Sequence, residues 1–501
     1  MKSAKDNQLL SKLVLITQRP IFWLPIFLVF LLVRNWQVFL LTDLHDGYGV
    51  KTFIVSSGLN YPGLKAYIHR YALQSYGGHF IPLWFAIFWL LIYLFDSNPY
   101  VLGLLSFAFA AWLLYLIYRL CLHFFDSHRN GHLYALLAAM IFSSSGFFLE
   151  AIAWKWMLGL VISTAFFCQA LLILLRQKHS KIWLAIYSIL LLGSVWTFGT
   201  SWMLCWGLVI FLLLQRQKKL QNYLFSTIAV SVVATITTLI ANRHIVSHLN
   251  PVFILTNLPA VALMAAVNTL LQMFGVFRLG GVQHLYISSA LAITILLALV
   301  VYYYDRHKHN NLSQKDQLVI SLILAYLAII TLSLMRLMPV TGISPISSPE
   351  NFIIGDRYMF VYSIPLFIAL FVTAGKKMMN LPKLILYILI GGAIIYGVEI
   401  QINYSKIDPV IANHHRTEFY NLEPKALLEA QDQGLKLPDI DGDLFGSTQR
   451  LSRSVKIRKD YAKYNPQFVS PKSLTTSNCL AIHKSKDLDN WLNLYSSQWC
   501  N

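Results

Sequence analysis

The chain has 501 residues, 56% hydrophobic and only 12% charged, with 40 Lys+Arg against 22 Asp+Glu and a formal net charge of +18. A soluble domain carries roughly 25% charged residues, so half that content with long apolar runs excludes a soluble globular enzyme and a disordered chain. Five cysteines also exclude a small disulfide scaffold. What remains is an all-α, polytopic membrane protein.

The positive surplus is not spread evenly. Residues 401–501 hold 11 of the acidic and 13 of the basic residues, which leaves 27 basic and 11 acidic residues for the first 400, a surplus of +16. These positives sit in short loops between apolar runs. That pattern sets membrane orientation and argues against a nucleic-acid-binding stripe.

Apolar runs of about 17–25 residues cross a hydrocarbon layer of roughly 30 Å. In chain order the expected spans lie near 20–41, 99–118, 133–149, 157–175, 223–241, 285–304, 317–335, 357–374 and 383–400. The run 182–214 is too long for one crossing and is read as two short spans that break at Thr197-Phe198-Gly199-Thr200. The first run lacks a small-residue cleavage site after a short apolar core, so it reads as an anchor.

Two stretches, 81–95 and 251–277, are ambiguous, and charge parity decides them. Lys2, Lys5, Lys12 and Arg19 hold the N-terminus in the cytoplasm. If 81–95 crossed, the basic loops 176–181 and 215–219 would fall outside. If it lies along the outer surface, both fall inside, together with Arg119, Arg129, Arg306, Lys308, Lys315, Lys376, Lys377 and Lys383. The stretch is also short, about 22 Å as a helix. The same parity puts 251–277 outside as an interfacial or re-entrant segment. The expectation is about eleven transmembrane helices in a domain over 1–400, with outer loops at 42–98 (carrying interfacial helices) and 242–284. An extracytoplasmic C-terminal region follows over 401–501. Cys479 and Cys500 fall in that region, where a disulfide is permitted.

Scarce charges gathered at one membrane face mark a functional site. On this topology Asp43, Asp46, Glu150, Glu350, Asp356 and Glu399 lie at outer ends of spans. Thr42-Asp43-Leu44-His45-Asp46-Gly47-Tyr48 follows the first span and supplies two carboxylates and His45. Either acid suits a general base on an acceptor hydroxyl; as a metal site the lone D-x-H-D pattern is weak, and no cofactor is expected. Gly78-His79-Phe80-Ile81-Pro82-Leu83 opens the interfacial helix, with Pro82 in its first turn and His79 beside free amides that favour an anion. Glu150-Ala151-Ile152-Ala153-Trp154-Lys155 joins two spans outside; its acid, aromatic face and cation suit a sugar pocket or, for Trp154 and Lys155, an interfacial anchor. Gly355-Asp356-Arg357-Tyr358 begins a span, and Arg357 beside helix-terminal amides suits a phosphate, that of a substrate or that of a lipid headgroup on which it anchors the helix.

Taken in order, these segments resemble the GT-C glycosyltransferases, and among them the protein O-mannosyltransferase type. The run Gly78-His79-Phe80-Ile81-Pro82-Leu83 followed by Leu94-Phe95-Asp96-Ser97-Asn98-Pro99 is similar to that group's "GH-x-x-PL … LFG-x-NP" segment. Ala135–Phe142 with Glu150-Ala151-Ile152-Ala153-Trp154 is similar to "ALLAALLFA … ESVAW". Asn250-Pro251 before an apolar outer helix recurs there, and Asp356-Arg357-Tyr358-Met359-Phe360 resembles "ERYLYLPS" with Asp for Glu.

The resemblance covers about residues 20–400. It implies a GT-C-like bundle and an inverting transferase that takes a sugar from a polyprenyl-phosphate donor on the extracytoplasmic face. It implies a catalytic acid just after the first span, Asp46 or Asp43 with Asp46 favoured. Arg357 would hold the donor phosphate with His79 or Lys155, and Glu150, Trp154, Asp356, Tyr358 and His45 would line the substrate. The partners are the donor lipid, the bilayer and an acceptor glycan, lipid or protein, with no nucleic acid. The family's paired acid appears here as D-L-H-D, and 401–501 shows no repeat array that would identify the acceptor. Compact loops favour a bacterial inner membrane. Rival readings are a flippase or transporter of lipid-linked sugars, a polysaccharide polymerase or ligase, and a non-catalytic scaffold. A transporter favours repeated halves and midplane charges, of which the sequence shows neither; Arg34 is the main charge within a span.

Overall fold

The computed structural model describes residues 20–35, 80–95, 99–125, 128–153, 157–177, 180–215, 217–241, 313–341 and 356–407, with isolated helical positions at 294, 297, 298, 301 and 304. Among the described residues there is no strand. The helices are α1 (Trp23–Arg34), α2 (Pro82–Phe95), α3 (Pro99–Phe125), α4 (Gly131–Ser143), α5 (Gly146–Ala153) and α6 (Leu158–Leu175). They continue with α7 (Lys181–Thr197), α8 (Trp202–Gln215), α9 (Gln221–Ala241), α10 (Gln314–Thr341), α11 (Asp356–Met378) and α12 (Lys383–Ile407). Among the described residues three helical segments are long and apolar enough to cross a membrane, Gly103–Phe125, Leu158–Leu175 and Lys218–Ile240. Shorter apolar helices surround them, and the architecture is that of a polytopic membrane protein.

A helix that is apolar on every side belongs in the middle of such a bundle. α6 is that helix: sixteen of its 18 residues are buried. α3 and α7 flank it. On the perimeter, α9 exposes Phe225, Val232, Ile236 and Ile240, and α12 exposes Leu384, Tyr387, Ile388 and Ile395. In water these apolar faces would be a liability; facing hydrocarbon they need no partner.

Contacts between helices fix the direction of each. Phe125 at the end of α3 sits against Gly375 near the end of α11. Asn130, in the α3–α4 turn, donates from Nδ2 to the carbonyls of Met379 (2.9 Å) and Leu381 (3.0 Å) in the α11–α12 turn. Lys315, at the start of α10, donates to the Phe124 carbonyl. Gln215 at the end of α8 meets Gln317. Tyr187 early in α7 bonds Thr227 early in α9 at 2.7 Å. One end of the bundle therefore carries, among the described residues, 128–130, 176–177, 180, 217–220, 313–316 and 379–382. Arg119, Arg129, Lys181, Lys218, Lys219, Lys315, Lys377 and Lys383 all lie in or beside them. This is the grouping of basic loops that charge parity required.

α1 rises from that basic end, where Trp23 and Phe27 pack on Tyr118 of α3 with centroids 5.8 and 6.3 Å apart. α3 descends toward it. α1 thus ends, and α3 begins, at the opposite end. α2 starts at Pro82 as expected, buries Trp84, Phe85 and Phe88 behind a buried Ile81, and leaves Leu90 and Leu94 exposed. Trp84 rests on Gly159 at the start of α6, and Leu83 lies near Gly193 late in α7, both at the end away from the lysines.

Several bounds differ from the sequence reading. α1 follows a 3-10 turn at Pro20–Phe22 and ends at Arg34; 36–41 lie outside the described residues. α3 runs on to Phe125, and α12 to Ile407. The break in 182–214 falls where expected: α7 ends at Thr197, Phe198 is extended (φ −149°, ψ 112°), and a 3-10 turn Gly199–Ser201 leads into α8. The single span expected at 133–149 is two helices, because α4 stops at Ser143 and α5 restarts at Gly146. Most of 285–304, and all of 242–284 and 408–501, lie outside the described residues.

Candidate functional site

The end of α4 is shaped by three consecutive serines. Hydroxyls that bond back to carbonyls three or four residues earlier compete with the helical ladder and stop it. Ser143 Oγ and Ser144 Oγ each donate to the Met140 carbonyl at 2.8 Å, and Ser145 Oγ donates to the Phe142 carbonyl at 2.6 Å. The chain restarts as a helix when the Leu149 amide donates to the Ser145 carbonyl. Hydropathy hides the break because serine is small and its hydroxyls are satisfied locally.

Arg34, the last residue of α1, meets this break. Its Nη2 donates to the Ser143 carbonyl at 2.6 Å, Nη1 to Ser143 Oγ at 3.2 Å, and Nε to Asn35 Oδ1 at 3.1 Å. The guanidinium lies 4.9 Å from the Phe30 ring centroid, one turn earlier on the same helix. Arg34 is only 9% exposed and Asn35 is fully buried. From the other side comes α12: Ser144 Oγ also bonds the Ala393 carbonyl at 2.7 Å. A Cβ on Gly397 would stand 2.5 Å from Ser144 Oγ and 2.8 Å from Arg34 Nη1. Three segments of chain, far apart in sequence, are drawn to one point.

α5 continues from the break and packs on α11. Phe142, at the end of α4, stands edge-on to Phe148 of α5 at 5.4 Å and to Phe367 of α11 at 5.0 Å. Phe367 stacks on Phe371 at 4.3 Å, and Phe371 meets Tyr134 of α4 at 5.8 Å. Tyr134 donates its hydroxyl proton to the Phe371 carbonyl at 2.6 Å. This aromatic column runs down α11 toward the basic end. Asp356 lies eleven residues before Phe367, about 16 Å up the helix axis. The first turn of α11 therefore stands at the end of the bundle that α5 also occupies.

Of the residues singled out in the sequence, Glu150 lies on α5, and Asp356, Arg357 and Tyr358 form the first turn of α11 as expected. These two helices are neighbours at the end away from the basic turns. Asp43, His45, Asp46, His79, Trp154 and Lys155 lie outside the described residues. The chain toward Asp43 and Asp46 leaves from Arg34 and Asn35 at that same end. Sequence reasoning missed the contribution of Arg34, Asn35, Ser143, Ser144 and Gly397. The available signal was a lone arginine inside an apolar run and a Ser-Ser-Ser-Gly string inside a supposed span.

Among the described residues no three His, Cys, Asp or Glu side chains gather as metal ligands. Cys121, Cys168 and Cys205 are free and buried. A second polar cluster, Ser163 of α6 with Ser194 of α7 and Ser201 (3.2 and 2.6 Å between hydroxyl oxygens), ties the α7–α8 break to the central helix. Its hydroxyls and carbonyls satisfy one another, so it has the character of packing.

No family model and no curated protein matches the chain. Among solved structures it is similar to the crystal structure of ArnT from Cupriavidus metallidurans bound to undecaprenyl phosphate. The two are 11% identical, with a TM-score of 0.42, over 92% of this chain and 89% of that one.

Proposed function

We propose that the protein is a membrane glycosyltransferase of the GT-C type, moving a sugar from a polyprenyl-phosphate donor to an acceptor at the end of the bundle opposite its basic turns. The observation that carries this reading is convergence. The segments whose order resembles the family lie far apart in sequence, yet α5, the first turn of α11 and the end of α1 share one end of the bundle. That end lies away from the described turns that the positive-inside rule assigns to the cytoplasm. The active site then faces the exterior of a bacterial inner membrane, with the N-terminus inside.

The chemistry is a single displacement at the anomeric carbon. An acceptor hydroxyl gives its proton to the Asp46 carboxylate, or to Asp43, as its oxygen bonds the anomeric carbon. The bond from that carbon to the phosphate oxygen breaks, and polyprenyl phosphate leaves with the electron pair. Arg357, with His79 or Lys155, bears the charge that develops on the phosphate. One displacement inverts the anomeric centre. Glu150, Trp154, Asp356, Tyr358 and His45 line the sugar and acceptor positions.

The test is transfer of radiolabelled sugar from polyprenyl-phosphate donors by the purified protein, with the full chain and with Asp46→Asn and Asp43→Asn. One of the two is expected to abolish transfer while still inserting and eluting as a folded species. Full activity in both removes the base from the scheme.

A further inference from the structure

We infer that Arg34 is a positioning residue, a clamp that holds the C-terminal end of α1 on the α4–α5 break and against α12. Its consequence for the reaction rests on the transferase reading above.

An arginine at a span end ordinarily extends its head toward the headgroups. Arg34 turns inward instead, and its acceptors among the described residues are a carbonyl, a hydroxyl and an amide oxygen, all neutral. A cation buried among apolar helices is costly and marks function by default. The guanidinium is a rigid planar fork, so donating to two atoms of Ser143 and to Asn35 fixes the orientation as well as the distance of the helix end. Gly397 is the independent observation. α12 approaches so closely that a Cβ there would overlap both Ser144 Oγ and Arg34 Nη1, so the third helix is seated on the clamp.

What the clamp joins is what the chemistry needs. Asp43 and Asp46 follow Arg34 by nine and twelve residues, and Glu150 lies five residues beyond Ser145. Arg34, from which the sequence runs on toward the proposed base, is thus bonded to Ser143 at the end of α4, just ahead of the helix that carries Glu150. Misplacement of a base by about 1 Å costs up to roughly a hundredfold in rate.

The experiment uses the full chain with spin labels on Val33→Cys and Val398→Cys, both exposed positions beside the clamp (73% and 41%). Distance distributions and transfer kinetics are compared for wild type, Arg34→Lys, Arg34→Met and Gly397→Ala. The expected result is a broadened distance in Arg34→Met. Arg34→Lys and Gly397→Ala are expected to insert and elute as wild type while kcat falls about 10- to 100-fold with donor KM unchanged.

An unchanged distance in Arg34→Met overturns the clamp. So does wild-type kcat in Arg34→Lys, or a loss of turnover that only follows loss of folded protein. If the distance broadens but the labelled wild type transfers no sugar from any donor, the transferase reading fails and the clamp stands.

Discussion

Gly207 of α8 offers a test of helix packing whose sign can be worked out in advance. A Cβ at this position would lie 2.8 Å from the Ala325 Cβ and 3.0 Å from the Ser321 carbonyl oxygen, both on α10. Two carbon atoms rest at about 3.5–4.0 Å, so the methyl groups demand a separation of roughly 1 Å. Neither opposing atom has a torsion that could carry it away; one is a Cβ and the other is backbone. The two helices must part, and the Gln215–Gln317 bond at the end of the same pair goes with them. Overpacking of this kind costs about 1–3 kcal/mol, against a gain of about 0.5–1 kcal/mol for replacing glycine by alanine in a helix. Gly207→Ala should therefore destabilise by about 1–2 kcal/mol. Gly391 and Gly392 of α12 have nothing within 4 Å of their would-be Cβ atoms. Alanine at either should be neutral or stabilising by the helix term alone. The assay is the midpoint of heat-induced loss of the monodisperse peak in detergent, at a fixed heating time because unfolding of such a chain is irreversible. Ala325→Gly should restore much of what Gly207→Ala loses, giving a favourable coupling in the double variant. A Gly207→Ala midpoint equal to that of Gly391→Ala, or a double variant no better than the single, would refute the close approach of α8 and α10.

Two further outcomes follow from the turns. Asn130→Leu strips the Met379 and Leu381 carbonyls of their donor and should lower the same midpoint by the equivalent of about 1–2 kcal/mol; the lower part of the usual range applies because Asn130 Oδ1 is itself buried with no partner among the described residues. Single cysteines at Asn380, Lys181 and Lys218, in a chain with Cys479→Ser and Cys500→Ser, should react with an impermeant maleimide only from the cytoplasmic side, and Glu399→Cys only from the other. Labelling of Lys181→Cys and Asn380→Cys from opposite sides would break the helix parity.

The helix directions were legible in the sequence because one physical constraint writes them twice. Each short basic loop must stay on one side of the membrane, and each helix must reverse its predecessor. Residues 81–95 were read as lying along the outer surface from that count and from their short length. Among the described helices, α1 rises beside Tyr118, α3 descends to Asn130, and Trp84 rests on Gly159. The α7–α8 break was equally open, since thirty-three apolar residues exceed one crossing and a Thr-Phe-Gly-Thr string is a poor helix interior. Where span ends were misjudged, as with α3 running to Phe125, the cause is that amphipathic residues such as His123 extend a helix past the apolar window.

The clamp was not legible, and the reason lies in how polar atoms are satisfied. Ser143, Ser144 and Ser145 return their hydroxyls to Met140 and Phe142, which makes the string locally self-sufficient and invisible to a hydropathy window. Arg34 in the sequence is indistinguishable from an interfacial anchor. Its meaning comes from Ser143, 109 residues away, and from Gly397, which yields the space. Nothing periodic links these positions. They share only an end of the bundle, the end at which α11 begins with Asp356 and Arg357. A bundle that ties α1 to the α4–α5 break through Arg34, and that break to α12 through the Ser144 hydroxyl on the Ala393 carbonyl, transmits slackness at the arginine to both neighbours. A substitution at Gly397, remote in sequence from every proposed reacting group, should for that reason be felt in turnover before it is felt in donor binding.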